Sequence, residues 1–191
     1  AITDEIYEHI LYDGTEHVSL ATLPGMADRT ITISGLSKTY SVTGWRLGYV
    51  VARPPWSDGI RKVHDFLTVG APAPLQEAAA VALGFAQAFY DDLRKGYERK
   101  RAMLLAALER VGFACVPPQG AYYIMADIRP LTDQDDVSFA RFMTEKIGVA
   151  PVPGSSFYAD EALGRHYIRF TFSKSEETLA EAARRLPALR A

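Results

Sequence analysis

Ser34-Gly35-Leu36-Ser37-Lys38-Thr39-Tyr40-Ser41-Val42-Thr43-Gly44-Trp45-Arg46-Leu47-Gly48 is the stretch on which the reading of this chain turns. It follows Thr30-Ile31-Thr32-Ile33, whose alternation of polar and apolar β-branched residues predicts a strand. Small residues then break the pattern, so Lys38 stands just past a strand end. Arg46 lies eight residues later, in a second turn bounded by Gly44 and Gly48. Beyond it Tyr49-Val50-Val51-Ala52 predicts another strand, buried on both faces. Pro54-Pro55 ends it, because proline donates nothing to a ladder. A lysine in a pocket of this kind can give up its charge and act as a nucleophile toward an aldehyde. An arginine nearby can hold a phosphate with a bidentate fork. Glycine and hydroxyl residues let backbone N–H groups approach the same anion. Taken alone, a lysine at a strand end is in most proteins a solvated surface residue; its neighbours change that reading.

The stretch closely resembles the lysine motif of the class I/II aminotransferases, fold-type I enzymes that use pyridoxal phosphate. The match covers about fourteen positions, Gly35, Ser37, Lys38, Gly44, Arg46 and Gly48 among them. The resemblance implies that Lys38 carries the cofactor as a Schiff base and shuttles the proton between the substrate Cα and the cofactor C4′. It also implies that Arg46 grips the cofactor phosphate. Many relatives place a phosphate-binding serine three residues before the lysine, where this chain has Gly35; Ser34 and Ser37 are both candidates to supply that hydroxyl.

Two further elements fit the same family in the right order. Asp4-Glu5-Ile6-Tyr7, with Asp4 thirty-four residues ahead of Lys38, resembles its Asp-x-x-Tyr element. By that resemblance the Asp4 carboxylate meets the pyridine nitrogen and the Tyr7 hydroxyl meets the phenolic oxygen of the cofactor. A carboxylate there keeps the ring nitrogen protonated, which makes the ring an electron sink. Arg169, within Tyr167-Ile168-Arg169-Phe170-Thr171-Phe172, matches the family's late arginine and is implied to bind the substrate α-carboxylate. A planar guanidinium suits that task.

The remaining chain predicts helices from Trp56 to about Gly112, punctuated by Ala71-Pro72-Ala73-Pro74. Phe89, Leu93, Tyr97, Leu104 and Leu108 recur at roughly helical spacing in a long final segment. A strand over Gly120–Ala126, a helix over Ser138–Ile147, a loop at Pro151–Gly154 and a half-buried strand over Tyr167–Phe172 follow. Ser173 with Glu176 reads as a capping box for a last helix running to about Leu186. The expected fold is α/β, the C-terminal part of a pyridoxal-phosphate-dependent transferase fold. Residues 1–112 are assigned to a large domain with its mainly parallel sheet and long connecting helix, and 113–191 to a small α+β domain. The family's implied activity is transfer of an amino group from an L-amino acid to a 2-oxo acid, in a homodimer. A β-lyase, an aminotransferase-like effector domain of a transcription regulator and an inactive fragment are the alternatives.

Composition bounds the rest. The 191 residues are 48% hydrophobic with a formal net charge of −2, so no basic surplus points to nucleic acid or lipid headgroups. No apolar run is long enough for a membrane span. The single cysteine, Cys115, excludes an internal disulfide framework and fits a cytoplasmic location. His9, His17, His64 and His166 lack metal-ligand spacing, and no metal is expected. The chain opens in what reads as the inside of a strand, without an initiator Met, and family members are about twice as long. It is therefore expected to be the second half of a longer protein, binding cofactor weakly or not at all by itself.

Overall fold

Strands β1 (Ile2–Asp4), β2 (Ile31–Gly35) and β3 (Gly48–Val51) form a three-stranded sheet in that order, β1 parallel and β3 antiparallel to β2. They come from a computed structural model that describes residues 1–190. The register pairs Asp4 with Ile33 and Gly35 with Gly48. The parallel pair requires a long connection, and residues 5–30 supply it as turns and one short 3-10 segment. Gly35, extended at φ −167° and ψ 168°, caps the four-residue helix α1 (Leu36–Thr39). Helices α2 (Trp56–Thr68) and α3 (Ala73–Leu83) follow, and then the 25-residue α4 (Gln87–Val111).

The chain divides into two units, Ala1–Leu93 and Arg94–Ala191, and the division falls inside α4. Leu104, Ala107, Leu108 and Val111 in the second half of that helix are buried.

In the first unit, Leu36, Leu47, Ala79 and Ala82 form a buried cluster, with Tyr40, Val42, Tyr49 and Leu75 packed against it. Alanines on α3 leave room for Leu36 of α1 and Leu47 of the following loop to approach. The expectation that β3 is buried on both faces is corrected. Val50 and Val51 are exposed, because β3 is an edge strand of a sheet with only three strands among the described residues.

In the second unit, β4 (Ala114–Cys115), β5 (Tyr123–Asp127), β6 (Val152–Pro153) and β7 (Tyr167–Thr171) form an antiparallel sheet in the order β4-β5-β7-β6. Ile124 faces Phe170 and Ala126 faces Ile168 across β5 and β7, and all four are buried. Tyr123, Met125, Arg169 and Thr171 therefore line the other face, the period-two consequence of a pleated strand. Helix α5 (Asp136–Phe142) continues into a π-helical turn at Met143–Ile147, and α6 (Glu176–Arg185) closes the unit.

Two further expectations need correction. Val152–Pro153, read as loop, forms a two-residue edge strand on β7. The cap of α6 is Ser175, whose hydroxyl accepts from the Thr178 N–H, while the Ser173 hydroxyl bonds Thr171 instead. Ser173 has Glu176 three residues on, as a capping box requires, whereas Ser175 has Thr178, so the spacing rule favoured the serine that does not cap.

Gly154 and Gly164 meet backbone to backbone. A Cβ on Gly154 would lie 2.5 Å from both the Gly164 and the Tyr167 carbonyl oxygens. Gly154→Ala is expected to lower the unfolding free energy by about 1–3 kcal/mol, the usual range for forced overpacking. Gly59→Ala, in α2 with nothing near its Cβ, is expected to raise it by roughly 0.5–1 kcal/mol. Urea unfolding of the two variants should show opposite signs; matching signs would refute the packing assignment.

Candidate functional site

Lys38 sits in α1, directly after the carboxyl end of β2, and Asp4 is the last residue of β1. Because these strands run parallel in register, both residues stand at the same end of the sheet. Arg46 joins them there, two residues before Gly48, which pairs with Gly35. The Leu36 N–H donates to the Leu47 carbonyl at 3.2 Å and ties the start of α1 to the residue after Arg46. The carboxyl end of parallel strands is where open α/β sheets bind ligands.

The glycines at 35 and 48 make this closure possible. A Cβ on Gly48 would lie 2.9 Å from the Ser34 carbonyl oxygen, and one on Gly35 would lie 3.3 Å from the Leu47 carbonyl oxygen. Between them the loop after α1 holds two non-glycine residues in the left-handed region, Ser41 at φ 57° and Arg46 at φ 53°. Each costs on the order of 1 kcal/mol. The loop is held by its own bonds. Thr43 donates its hydroxyl to the Ser37 carbonyl at 3.1 Å, and Arg46 Nη1 donates to the Thr43 carbonyl at 3.1 Å. Both Arg46 and Asp4 are exposed, and Ser37, Lys38 and Tyr7 are half-buried. Ser34, by contrast, is buried, and its hydroxyl donates to Glu8 Oε1 at 3.2 Å.

The turn after β1 carries a network that sequence reasoning missed. Glu5 is buried, and its carboxylate accepts from the Thr3 hydroxyl at 2.9 Å and the Ser19 hydroxyl at 3.0 Å. Its second oxygen lies 2.8 Å from His17 Nε2. Burial pushes the Glu5 carboxyl up, but the bonds from His17, Thr3 and Ser19 together outweigh it and leave the group below the ordinary glutamate range. Glu8 accepts from Ser34 and from the Tyr49 hydroxyl, the latter at 3.1 Å. The signal was available in Asp4-Glu5-Ile6-Tyr7-Glu8, where two glutamates repeat the three-residue spacing of Asp4 and Tyr7. Without the fold, nothing showed that they point inward.

Arg169 lies in the second unit, at the centre of the non-core face of the sheet. It pairs with Met125 on one side and Val152 on the other. Its guanidinium carbon is 4.0 Å from the ring centroid of Tyr123 and 4.0 Å from that of Phe157. Two aromatic rings thus lie within cation–π reach of the guanidinium, an arrangement that favours an arginine. Phe157 sits in the 3-10 turn Gly154–Phe157, which buried Asp136 secures by accepting the Ser155 N–H at 2.7 Å. Cys115 is half-buried, and burial, with a smaller contribution from Glu109, pushes its thiol up to about 11. Among the described residues, no group of three or more His, Cys, Asp or Glu could hold a metal ion, and no helix is long and apolar enough to cross a membrane.

Comparison with known proteins bears on what such a sheet end is for. The sequence model of aminotransferase class I and II matches residues 1–186. The chain is 40% identical over 197 residues to the probable N-succinyldiaminopimelate aminotransferase DapC of Mycobacterium tuberculosis, covering 98% of this chain and 49% of that protein. It is 39% identical to the methionine aminotransferase of Escherichia coli, covering 97% of this chain and 48% of that protein. Among solved structures, N-succinyldiaminopimelate aminotransferase from Mycobacterium tuberculosis superposes with a TM-score of 0.92 at 41% identity, over 98% of this chain and 49% of the other. YbdL from Escherichia coli also gives a TM-score of 0.92, at 38% identity over 98% of this chain and 49% of the other. The chain spans about half the length of the curated relatives it matches.

The lowered Glu5 pKa has a definite sign for stability. A carboxyl held below its unfolded value stabilises the fold above that value, about 4.3, and loses this as pH falls through the folded one. Glu5→Gln is expected to melt below wild type at pH 7, with the two curves converging as pH falls through the lowered value of the folded carboxyl. Melting temperatures collected between pH 3 and 7 check this, and parallel curves would contradict it.

Proposed function

The chain belongs to the class I and II aminotransferase family, and from that premise we propose that it supplies the covalent half of a pyridoxal-phosphate site, with Lys38 as the amine that holds the cofactor. The activity of the whole protein is then transfer of an amino group from an L-amino acid to a 2-oxo acid. The observation that carries this is the convergence of Asp4, Lys38 and Arg46 on one end of a sheet whose register leaves little freedom in their placement.

The donor set fits the cofactor. It combines an amine, a guanidinium, an exposed carboxylate and a phenol, with glycines at 35 and 48 that allow close backbone approach. Arg46 is assigned to the phosphate, as a planar fork suited to two parallel hydrogen bonds. Ser37 is assigned the accompanying hydroxyl, because that of Ser34 is already committed to Glu8. Asp4 is assigned to the ring nitrogen and Tyr7 to the phenolic oxygen. When bound, the cofactor supplies an electron sink for the substrate Cα, provided its ring nitrogen stays protonated. Lys38 Nζ takes the proton from that carbon and returns it.

Arg169 is assigned to the substrate α-carboxylate. The rings of Tyr123 and Phe157 support this role, since cation–π contact with both favours an arginine here, whose planar fork suits a bidentate carboxylate. Residues 1–112 are assigned to the large domain and 113–191 to the small one. The named relatives act on N-succinyldiaminopimelate and on methionine. Their chemistry narrows the proposal to an amino donor with a free α-carboxylate and no further. A homodimer and a cytoplasmic setting complete the reading.

Borohydride reduction in the presence of pyridoxal phosphate, followed by peptide mass mapping, tests the core of the proposal. In the native-length protein the phosphopyridoxyl adduct is expected on Lys38 and is lost in Lys38→Ala. An adduct elsewhere, or none, would overturn the assignment. Arg169→Lys is expected to raise KM for the amino donor by roughly 10- to 100-fold, the worth of a charged bidentate contact. Its Lys38 adduct should be unchanged. A KM equal to wild type would remove Arg169 from the substrate site.

A further inference from the structure

We infer that Glu5 is a positioning residue for Asp4 and Tyr7, fixing the turn that carries both against the sheet; this rests on the cofactor reading above. The backbone of Glu5 extends the parallel ladder one rung beyond β1, its N–H donating to the Ile33 carbonyl at 2.8 Å. Its side chain is 8% exposed and accepts three bonds from widely separated places in the sequence. Thr3 lies on β1 itself, while His17 and Ser19 lie far along the connection to β2. The same carboxylate therefore holds down both the strand end and the loop that would otherwise swing away from it.

The turn closes on this anchor. The Glu8 N–H donates to the Glu5 carbonyl at 3.0 Å, and the Ile10 N–H donates to the Tyr7 carbonyl at 2.9 Å. Glu8, three residues on, is bonded by Ser34 of β2 and Tyr49 of β3. Asp4 and Tyr7 keep the same three-residue spacing one position earlier. Asp4 is exposed and its Oδ1 accepts the Ile6 N–H at 3.2 Å. Two inward glutamates thus set the orientation of the acid and the phenol offered to the cofactor. The ionisable groups facing Glu5 and Glu8 are His17, His9 and Tyr49, with Asp4 adjacent in sequence.

A loop anchor without this role would alter stability alone, so the test reads the site. In the native-length, cofactor-loaded protein, three quantities are measured for wild type, Glu5→Gln, His17→Ala and Glu16→Gln. They are the dissociation constant for pyridoxal phosphate, the pH midpoint of the absorbance change of the Lys38-linked chromophore, and the melting temperature. Glu5→Gln is expected to weaken cofactor binding about tenfold and to move the midpoint by roughly half a pH unit or more. His17→Ala moves both in the same direction by less, and Glu16→Gln, exposed in the same loop, moves neither.

A Glu5→Gln protein with lower melting temperature but unchanged affinity and midpoint would overturn the inference. If that variant does not fold, His17→Ala decides by the same criterion, since its site keeps Glu5 and both hydroxyl donors. A wild type without a Lys38 adduct removes the cofactor reading and this inference together. An adduct present with an unmoved midpoint removes this inference only.

Discussion

The close approach of Gly35 and Gly48 is the constraint on which the first unit depends. Side chains there would press on the Ser34 and Leu47 carbonyls, so any other pair of residues would force β3 away from β2. With both glycines in place the strands close, the Leu36 N–H reaches the Leu47 carbonyl, and Leu36 and Leu47 enter one buried cluster. Lys38 and Arg46 each stand within two residues of those anchors. The helix carrying the amine and the loop carrying the guanidinium are therefore held by the same core.

That closure has a conformational cost, visible at Ser41 and Arg46. A left-handed arginine persists only where its surroundings over-determine it. Here a 3-10 turn, a bond from Thr43 to the Ser37 carbonyl and the buried Leu47 do so. On the neighbouring strand the turn from Asp4 to Glu8 meets the same demand differently. It has ordinary backbone angles but uses two charged side chains turned inward, which is stable only because every bond to Glu5 Oε1 and Oε2 comes from a fixed donor. Strain on one side of the site and buried charge on the other both achieve pre-organisation.

Much of this was legible in the sequence, and the reason is local. Alternation at Thr30–Ile33 gave β2, and the small residues after it gave a strand end with a lysine beyond. Asp4, Tyr7, Arg46 and Arg169 were read from their spacing and resemblance to a family motif. What the sequence concealed was what side chains do at long range. His17 looked ordinary because it has no metal-ligand spacing, yet it bonds a carboxylate twelve residues away. The double burial expected of Tyr49–Ala52 failed because hydrophobicity reports what a strand can bury, not how many neighbours the sheet has. The capping-box spacing favoured Ser173 through Glu176, but that hydroxyl bonds Thr171 and Ser175 caps the helix instead.

Arg169 shows the same division between local and long-range information. Its place on the open face follows from period-two alternation in Tyr167–Thr171, and pattern reading reaches that far. The clamp around it does not follow from any pattern. Tyr123 arrives by the β5–β7 register, and Phe157 arrives on a turn held by Asp136 and by the contact of Gly154 with Gly164. Each of these acts through a different principle: strand pairing, helix-adjacent carboxylate bonding, and absence of a side chain. Their joint effect is to bring two aromatic rings to within 4.0 Å of one guanidinium carbon. An arginine ordered in advance gives up less entropy when it meets a carboxylate than one that must first be immobilised.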